Sequence, residues 1–158
     1  DTTESASTHV VSRIVMHRIL ALVRTGTEFG PFPDDVLDNA QNPLTSTFIE
    51  FVAEADRDAG LNRITRIERR NVAGRQGEFE LWYVILNRAD ASVIEERPLL
   101  SGVRETLFIL EYEPGPRLVR ATIDLSIRPN DEQDLRVGAE DSTPMIRLVA
   151  SAEPRQLQ

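Results

Sequence analysis

Few side chains in this sequence have the types and spacing that do chemistry, and the most suggestive group is Glu54, Asp56 and Asp58 ahead of Gly60. Carboxylates on alternate residues of a turn are how a chain holds a hard cation such as calcium. The spacing departs from a calcium loop in three ways. Only two of the three early oxygen positions are filled, the glycine comes one residue early, and Ile67 stands where a bidentate glutamate belongs. Asp56 and Asp58 are therefore candidate metal ligands, with calcium the only cofactor in view, set against the plainer reading of a hairpin turn. The same carboxylates acting as general acid and base would need a companion oxyanion donor or lysine, and the sequence has no lysine.

His9 and His17 lie in one helical segment, separated by roughly 80° about its axis and roughly 12 Å along it, too far to share a metal. They read as surface residues, and with no cysteine a zinc site has no third ligand. No Gly-x-Ser-x-Gly, Gly-x-Gly-x-x-Gly or phosphate loop occurs, which removes support for nucleophile-elbow and nucleotide chemistry. Asp131, Glu132, Asp134, Glu140 and Asp141 form an acidic loop that reads either as solvated or as a contact for arginines of a neighbouring subunit. Trp82 and Tyr83 fall on opposite faces of a strand, so at least one packs in the core. No catalytic residue is identified, and the expectation is a non-enzymatic protein without a small-molecule substrate.

A chain of 158 residues, 41% apolar and 28% charged, can bury a core as one domain spanning 1–158. A net charge of −8 argues against a nucleic-acid partner, which would need a basic stripe. All 18 basic residues are arginine, which reads either as codon bias or as a preference for bidentate pairing with acidic neighbours. Without cysteine the redox compartment is not readable. No apolar run approaches the roughly 20 residues of a membrane span and no signal peptide is visible. The abrupt start at Asp1 leaves room for an upstream targeting or anchoring segment that has been removed.

The elements that must position these residues begin with a helix over about 4–25. Ser5, Ser7 and Thr8 offer N-caps and Gly26 a stop. Its apolar residues, Val10 to Val23, cover most of the circumference, so it wants cover on more than one side. Two readings follow: burial within its own domain, or partial burial against partner subunits, with Val11, Val15, Ile19 and Leu22 the candidate partner-binding positions. Residues 26–45, rich in Gly, Pro, Asp and Asn, read as a loop pinned by Phe29 and Phe32. An antiparallel sheet is expected over about 46–150, with strands at Phe48 to Glu54, Asn62 to Arg70, Phe79 to Leu86, Val93 to Glu96, Met145 to Ala150 and, centrally, a hairpin over Pro98 to Arg128. That hairpin turns at Glu113-Pro114-Gly115-Pro116. Its first arm is apolar on both faces between Val103 and Glu113, as a strand covered on two sides would be. Its second arm places Val119, Ala121, Ile123, Leu125 and Ile127 on one face. Residues 151–158 are expected to fray. The resulting class is α+β: one long N-terminal helix packed on an antiparallel sheet.

Four pieces taken in order resemble the minor pilins and pseudopilins of bacterial type IV pili and type II secretion systems, the J-type pseudopilin and W-type minor pilin most of all. They are the apolar helix Val10 to Val23, Phe48-Ile49-Glu50-Phe51 followed by the Asp56-Arg57-Asp58-Ala59-Gly60 turn, Leu81-Trp82-Tyr83, and Pro98 to Val103 with Phe108 to Tyr112 and the return strand Leu118 to Ile127. The prepilin cleavage site, the glutamate near the mature N-terminus and the apolar membrane segment of that family are not in this sequence. The resemblance implies a pilin-like fold and a structural, non-catalytic subunit that assembles by helix packing into a filament tip. It implies other minor pilins or pseudopilins as partners, an inner-membrane anchor through the missing segment, and a periplasmic globular domain. Two other readings remain open: a small α+β cone holding an apolar ligand between helix and sheet, an isomerase or hydrolase with a deep pocket lined by a buried Asp or Glu, and a periplasmic or surface binding module unrelated to pilins.

Overall fold

A computed structural model describes residues 2–128 and 145–155 of the chain. In chain order the elements are α1 (Thr2–Thr25), β1 (Thr27–Gly30), β2 (Leu44–Ser46), β3 (Phe48–Val52), α2 (Glu54–Asp58), β4 (Arg63–Val72), β5 (Arg75–Asn87), β6 (Val93–Glu113), β7 (Arg117–Ile127) and β8 (Ile146–Ala152). All eight strands belong to one antiparallel sheet in the order β1-β3-β4-β5-β6-β7-β8, with β2 paired to β6 off that path. The sheet curls enough that edge strand β1 comes into contact with β7.

The expected α+β class, a long N-terminal helix and a sheet as equal partners in a pilin-like fold, is corrected by this arrangement. The chain is a mainly antiparallel β-protein in which strands far outweigh helix, and α2 is a single short turn. Two segments read as loop are strands: β1 pairs with β3 and β2 pairs with β6. The short strand at Val93 and the first arm of the hairpin are one continuous strand of 21 residues. The terminal stretch from Ser151 begins inside β8, where Ala152 is buried. Helix α1 contributes one stripe to the core. Ser12, Val15, Met16, Ile19, Leu20 and Val23 recur at i, i+3, i+4, i+7, i+8 and i+11 and are buried, and the helix packs chiefly on β8 and β6.

Strand β6 organises the sheet. Residues from Val93 to Val103 pair with β5, whereas Val103 to Glu113 pair with β7. With β7 on one edge of that second half, β2 must occupy the other, and it does so opposite Phe108 to Leu110. Two irregularities set which residues face inward. Glu105 pairs with Ser126 while Val103 pairs with Ile127, so Arg104 is an extra residue, and Val103 and Thr106 both turn into the core. At the hairpin end Glu111 pairs with Arg120 and Tyr112 with Leu118, leaving Val119 extra. Leu118, not Val119, is therefore the buried residue there. The expectation that β6 is covered on both faces is also corrected. Phe108, Leu110 and Tyr112 are buried, but Leu107 and Ile109 on the opposite face are only half-buried.

The outer face is braced by charge. Arg66 bridges Glu50 and Glu68, Arg70 reaches Glu68 and Glu96, and the two guanidinium groups lie over the rings of Phe48 and Trp82. The Trp82 indole N–H donates to Glu80. Tyr83, on the inner side, packs against the core cluster. Bidentate pairing of arginine occurs at Arg88 with Glu28 and at Arg147 with Asp124.

Gly102 makes the first irregularity possible. It sits at φ +70°, and a Cβ there would stand 3.0 Å from the Arg128 carbonyl oxygen. Its own carbonyl accepts the Arg128 N–H at 3.0 Å. Gly102→Ala is expected to lower stability by about 1–2 kcal/mol from the left-handed conformation alone. Urea denaturation checks this as a lower midpoint at an unchanged slope, and an unchanged midpoint would contradict it.

Candidate functional site

The Asp56–Asp58 segment is a turn of helix between two strands, closed by a Schellman motif. The Gly60 N–H donates to the Arg57 carbonyl at 3.1 Å and the Leu61 N–H to the Asp56 carbonyl at 2.8 Å, with Gly60 at φ +69°. On a helix, residues two apart point roughly 200° away from each other, so Asp56 and Asp58 diverge where a cation would need them to converge. Among the described residues no group of three or more His, Asp or Glu is gathered in metal-binding geometry. Arg57 is the side chain of α2 with a visible role: its guanidinium donates to the Thr25 carbonyl at 3.3 Å. That places a cation at the negative end of α1 and satisfies one of its orphan carbonyls. The two histidines stay apart. His9 Nε2 accepts a bond from Arg13 Nε at 2.8 Å, and His17 is exposed.

The four candidate partner-binding positions on α1 divide. Val15 and Ile19 are buried in the chain's own core and offer nothing to a partner, so those two assignments are corrected. Leu22 is half-buried and packs against the same core. Val11 is 47% exposed and is joined by Val10 and Ile14, each 54% exposed. The uncovered apolar surface thus lies on the side of the helix turned away from the buried stripe of Ser12, Val15 and Met16.

A second feature collects residues distant in sequence. A cavity of about 440 Å³ lies where β1, the start of β7 and the segment after β8 approach one another. Its apolar walls include Phe29, Phe32 and Leu118, and it is flanked by Glu28, Arg88, Arg117 and Arg155. Phe29 is fixed by its tilted contact with Phe51, ring centres 5.6 Å apart, while Phe32 stands edge-on to Tyr112 and remains 56% exposed. The loop carrying them is anchored to β6. Asn42 Nδ2 donates to the Tyr112 carbonyl at 2.8 Å, Asn42 Oδ1 accepts the Tyr112 N–H at 3.0 Å, and the Tyr112 hydroxyl donates to the Pro31 carbonyl at 2.6 Å. Burial and the Glu50 charge raise the Tyr112 hydroxyl well above an ordinary tyrosine, so it stays a protonated donor.

Glu28 holds a left-handed backbone (φ 56°), unusual for a residue with a side chain. Its carboxylate accepts two bonds from the Arg88 guanidinium, at 3.0 and 2.5 Å. Residues held this way cluster at functional sites. Arg117 is paired with Glu113. Arg155 has no ion-pair partner among the described residues, and its backbone N–H donates to the Arg24 carbonyl at 2.8 Å. Sequence reasoning found Phe29 and Phe32 as anchors and missed the rest, since nothing in one dimension links residues 28, 88, 117 and 155. The cavity lies away from the helix–sheet interface, where Val15 to Val23 fill the space. No Asp or Glu is buried among the described residues, the buried polar side chains being Ser12, Thr65 and Thr106. The acidic loop containing Asp131, Glu132, Asp134, Glu140 and Asp141 lies outside the described residues. Among the described residues no helix is long and apolar enough to cross a membrane.

The bonds from Arg88 hold the Glu28 carboxyl below the ordinary glutamate value, against an opposing effect of desolvation. A depressed folded-state value means that the pair's contribution is present above the ordinary carboxylate range and is lost as pH falls through the depressed value. In Arg88→Gln the Glu28 carboxyl is expected to titrate upward toward the ordinary value, read by carboxyl NMR. The pair is exposed, so the change in neutral-pH stability should stay within about 1 kcal/mol.

Comparison of the chain with protein-family models, with curated proteins and with solved structures yields no match.

Proposed function

We propose that this chain is a structural, non-catalytic subunit of a bacterial filament machine, a minor pilin or pseudopilin of the type IV pilus or type II secretion kind. The observation that carries the reading is the uncovered apolar patch Val10, Val11 and Ile14 on α1. Three neighbouring large aliphatic side chains at about half exposure on a helix whose other stripe is buried are placed to pack against another helix. The order of motifs from Val10 to Ile127 supports the same reading. On it, the partners are other minor pilins or pseudopilins. An apolar segment preceding Asp1 anchors the subunit in the inner membrane, and the domain stands in the periplasm. The alternative of an isomerase or hydrolase pocket between helix and sheet has no buried carboxylate among the described residues to support it.

Two measurements test this. The coding sequence upstream of Asp1 is expected to contain a prepilin cleavage site and about 20 apolar residues. If neither is there, the reading fails. In co-purification with the minor pilins or pseudopilins encoded beside it, Val11→Glu and Ile14→Glu should abolish capture. Both positions face solvent, so thermal stability should move by no more than about 0.5 kcal/mol. Unchanged capture by a folded double variant would remove the patch from the assembly.

A further inference from the structure

We propose that the cavity between β1, β7 and the segment after β8 is a binding site for a monovalent apolar carboxylate: an aromatic or aliphatic body carrying one carboxylate. This goes beyond the filament reading and does not rest on it.

The charge of the cavity is opposite in sign to that of the protein. The chain carries −8, yet three of the four charged residues lining this space are arginines. Glu28 neutralises Arg88 by two hydrogen bonds and Glu113 neutralises Arg117. Arg155 alone has no counter-ion among the described residues. One guanidinium without a counter-ion among the described residues matches a carboxylate, which it can hold by two parallel bonds, better than a phosphate dianion. The walls supply the rest. Phe29, Phe32, Pro116, Leu118 and Pro154 make an apolar body the favoured occupant, and about 440 Å³ lies in the range of small-ligand sites.

The site is also built to keep its shape. Phe29 is locked against Phe51, the loop bearing Phe32 is tied to Tyr112 through Asn42 and Pro31, and the Arg155 backbone is tied to the end of α1. Glu28 spends backbone strain to place its carboxylate on Arg88, and this keeps that cation on the rim, where it can donate to an incoming anion as well. Phe32, at 56% exposure, is a large uncovered ring lining the same cavity as the Arg155 guanidinium. An apolar acid would cover the one and neutralise the other.

Such an acid has two sources, a free small molecule or the C-terminal residue of a polypeptide. The full chain would be titrated with 4-phenylbutyrate and its primary amide, and with N-acetyl-leucyl-phenylalanine and its C-terminal amide, following backbone NMR signals. Saturable shifts are expected at Thr27, Glu28, Phe29 and Arg155 with the acids. The amides should bind at least about tenfold more weakly, the worth of a charge-assisted bond. Arg155→Gln should erase the difference between acid and amide. Phe32→Ala should weaken both, and Arg75→Gln, on the distant β4–β5 turn, should change neither. Tighter binding of the peptide acid identifies a polypeptide C-terminus, and tighter binding of phenylbutyrate a free acid. The proposal is overturned by absence of saturable shifts at these residues, by equal affinity for acid and amide, or by an acid preference that survives in folded Arg155→Gln. Should Arg155→Gln fail to fold, the acid–amide comparison on the unaltered chain and the Phe32→Ala titration still decide it. Val11→Glu should bind as the unaltered chain does, which separates this site from the assembly patch.

Discussion

The structure depends on how the backbone of β6 satisfies its hydrogen bonds over 21 residues. No single neighbour runs its whole length. β5 serves its first half, β7 and β2 its second, and the exchange happens around Val103. A strand that changes partners must keep its apolar side chains on the core face through the change. An unbroken two-residue period would put Thr106, Phe108 and Leu110 on the face opposite Val103. The extra residue at Arg104, allowed by the left-handed Gly102, resets the period so that all four point inward. Without it, the buried residues of β6 beyond Arg104 (Thr106, Phe108, Leu110 and Tyr112) would face water.

The core then dictates how much of α1 is covered. Ile19 and Val23 belong to one buried cluster with Phe51, Phe108, Leu110 and Ile123, all nearly or fully inaccessible. Each such side chain is worth about 1.5–3 kcal/mol against exposure. The exposed ion pairs of the outer face, at about 0.2–1 kcal/mol each, adjust the surface without deciding the fold. Gly26 lets the chain leave the helix directly over Phe51, where a Cβ would meet that ring at 2.8 Å. The helix is therefore held at its C-terminal end by burial, by Arg57 on the Thr25 carbonyl and by the Arg155 N–H on the Arg24 carbonyl.

What was legible in the sequence follows from which interactions are local. Ala121 to Ile127 alternate within one strand, and their burial follows from their own spacing. The switch from Val119 to Leu118 depends on the extra residue in the pairing with β6, which no window of β7 contains. Thr27–Gly30 and Leu44–Ser46 are too short and too rich in turn-forming neighbours to announce themselves, and only β3 and β6 make them strands. The apolar breadth of α1 is legible, but which side of it is covered depends on where the sheet packs, and Val15 and Ile19 fall on the core side. Asp56 and Asp58 show the limit of a motif: aspartates at that spacing before glycine fit a cation loop and a Schellman-closed helical turn alike. Only the Leu61 N–H bonded to the Asp56 carbonyl separates them.

The two surfaces left open lie on different parts of one helix, a face along its middle and its C-terminal end, and this follows from the way that helix is held. From Ile14 to Gly26 the axis runs roughly 18 Å. At the far end, the groups that close off the helix carbonyls come from α2 and from the segment after β8, and Arg155 of that segment also lines the cavity, without a counter-ion among the described residues. A polar helix end needs such partners, so chain segments are drawn together there, and imperfect closure among β1, β7 and the residues after β8 leaves a space lined by both apolar and cationic groups. Around Val10 to Ile14, within the helix, no such demand exists. Ser12, Val15 and Met16 are buried at the same height on the axis, so Val10, Val11 and Ile14 stay uncovered because they lie on the side of the helix turned from the core, not because their side chains differ in kind from Val15 and Ile19. The outward face is thus suited to an apolar surface that brings its own helix, and the C-terminal end to a small group with a charge to match.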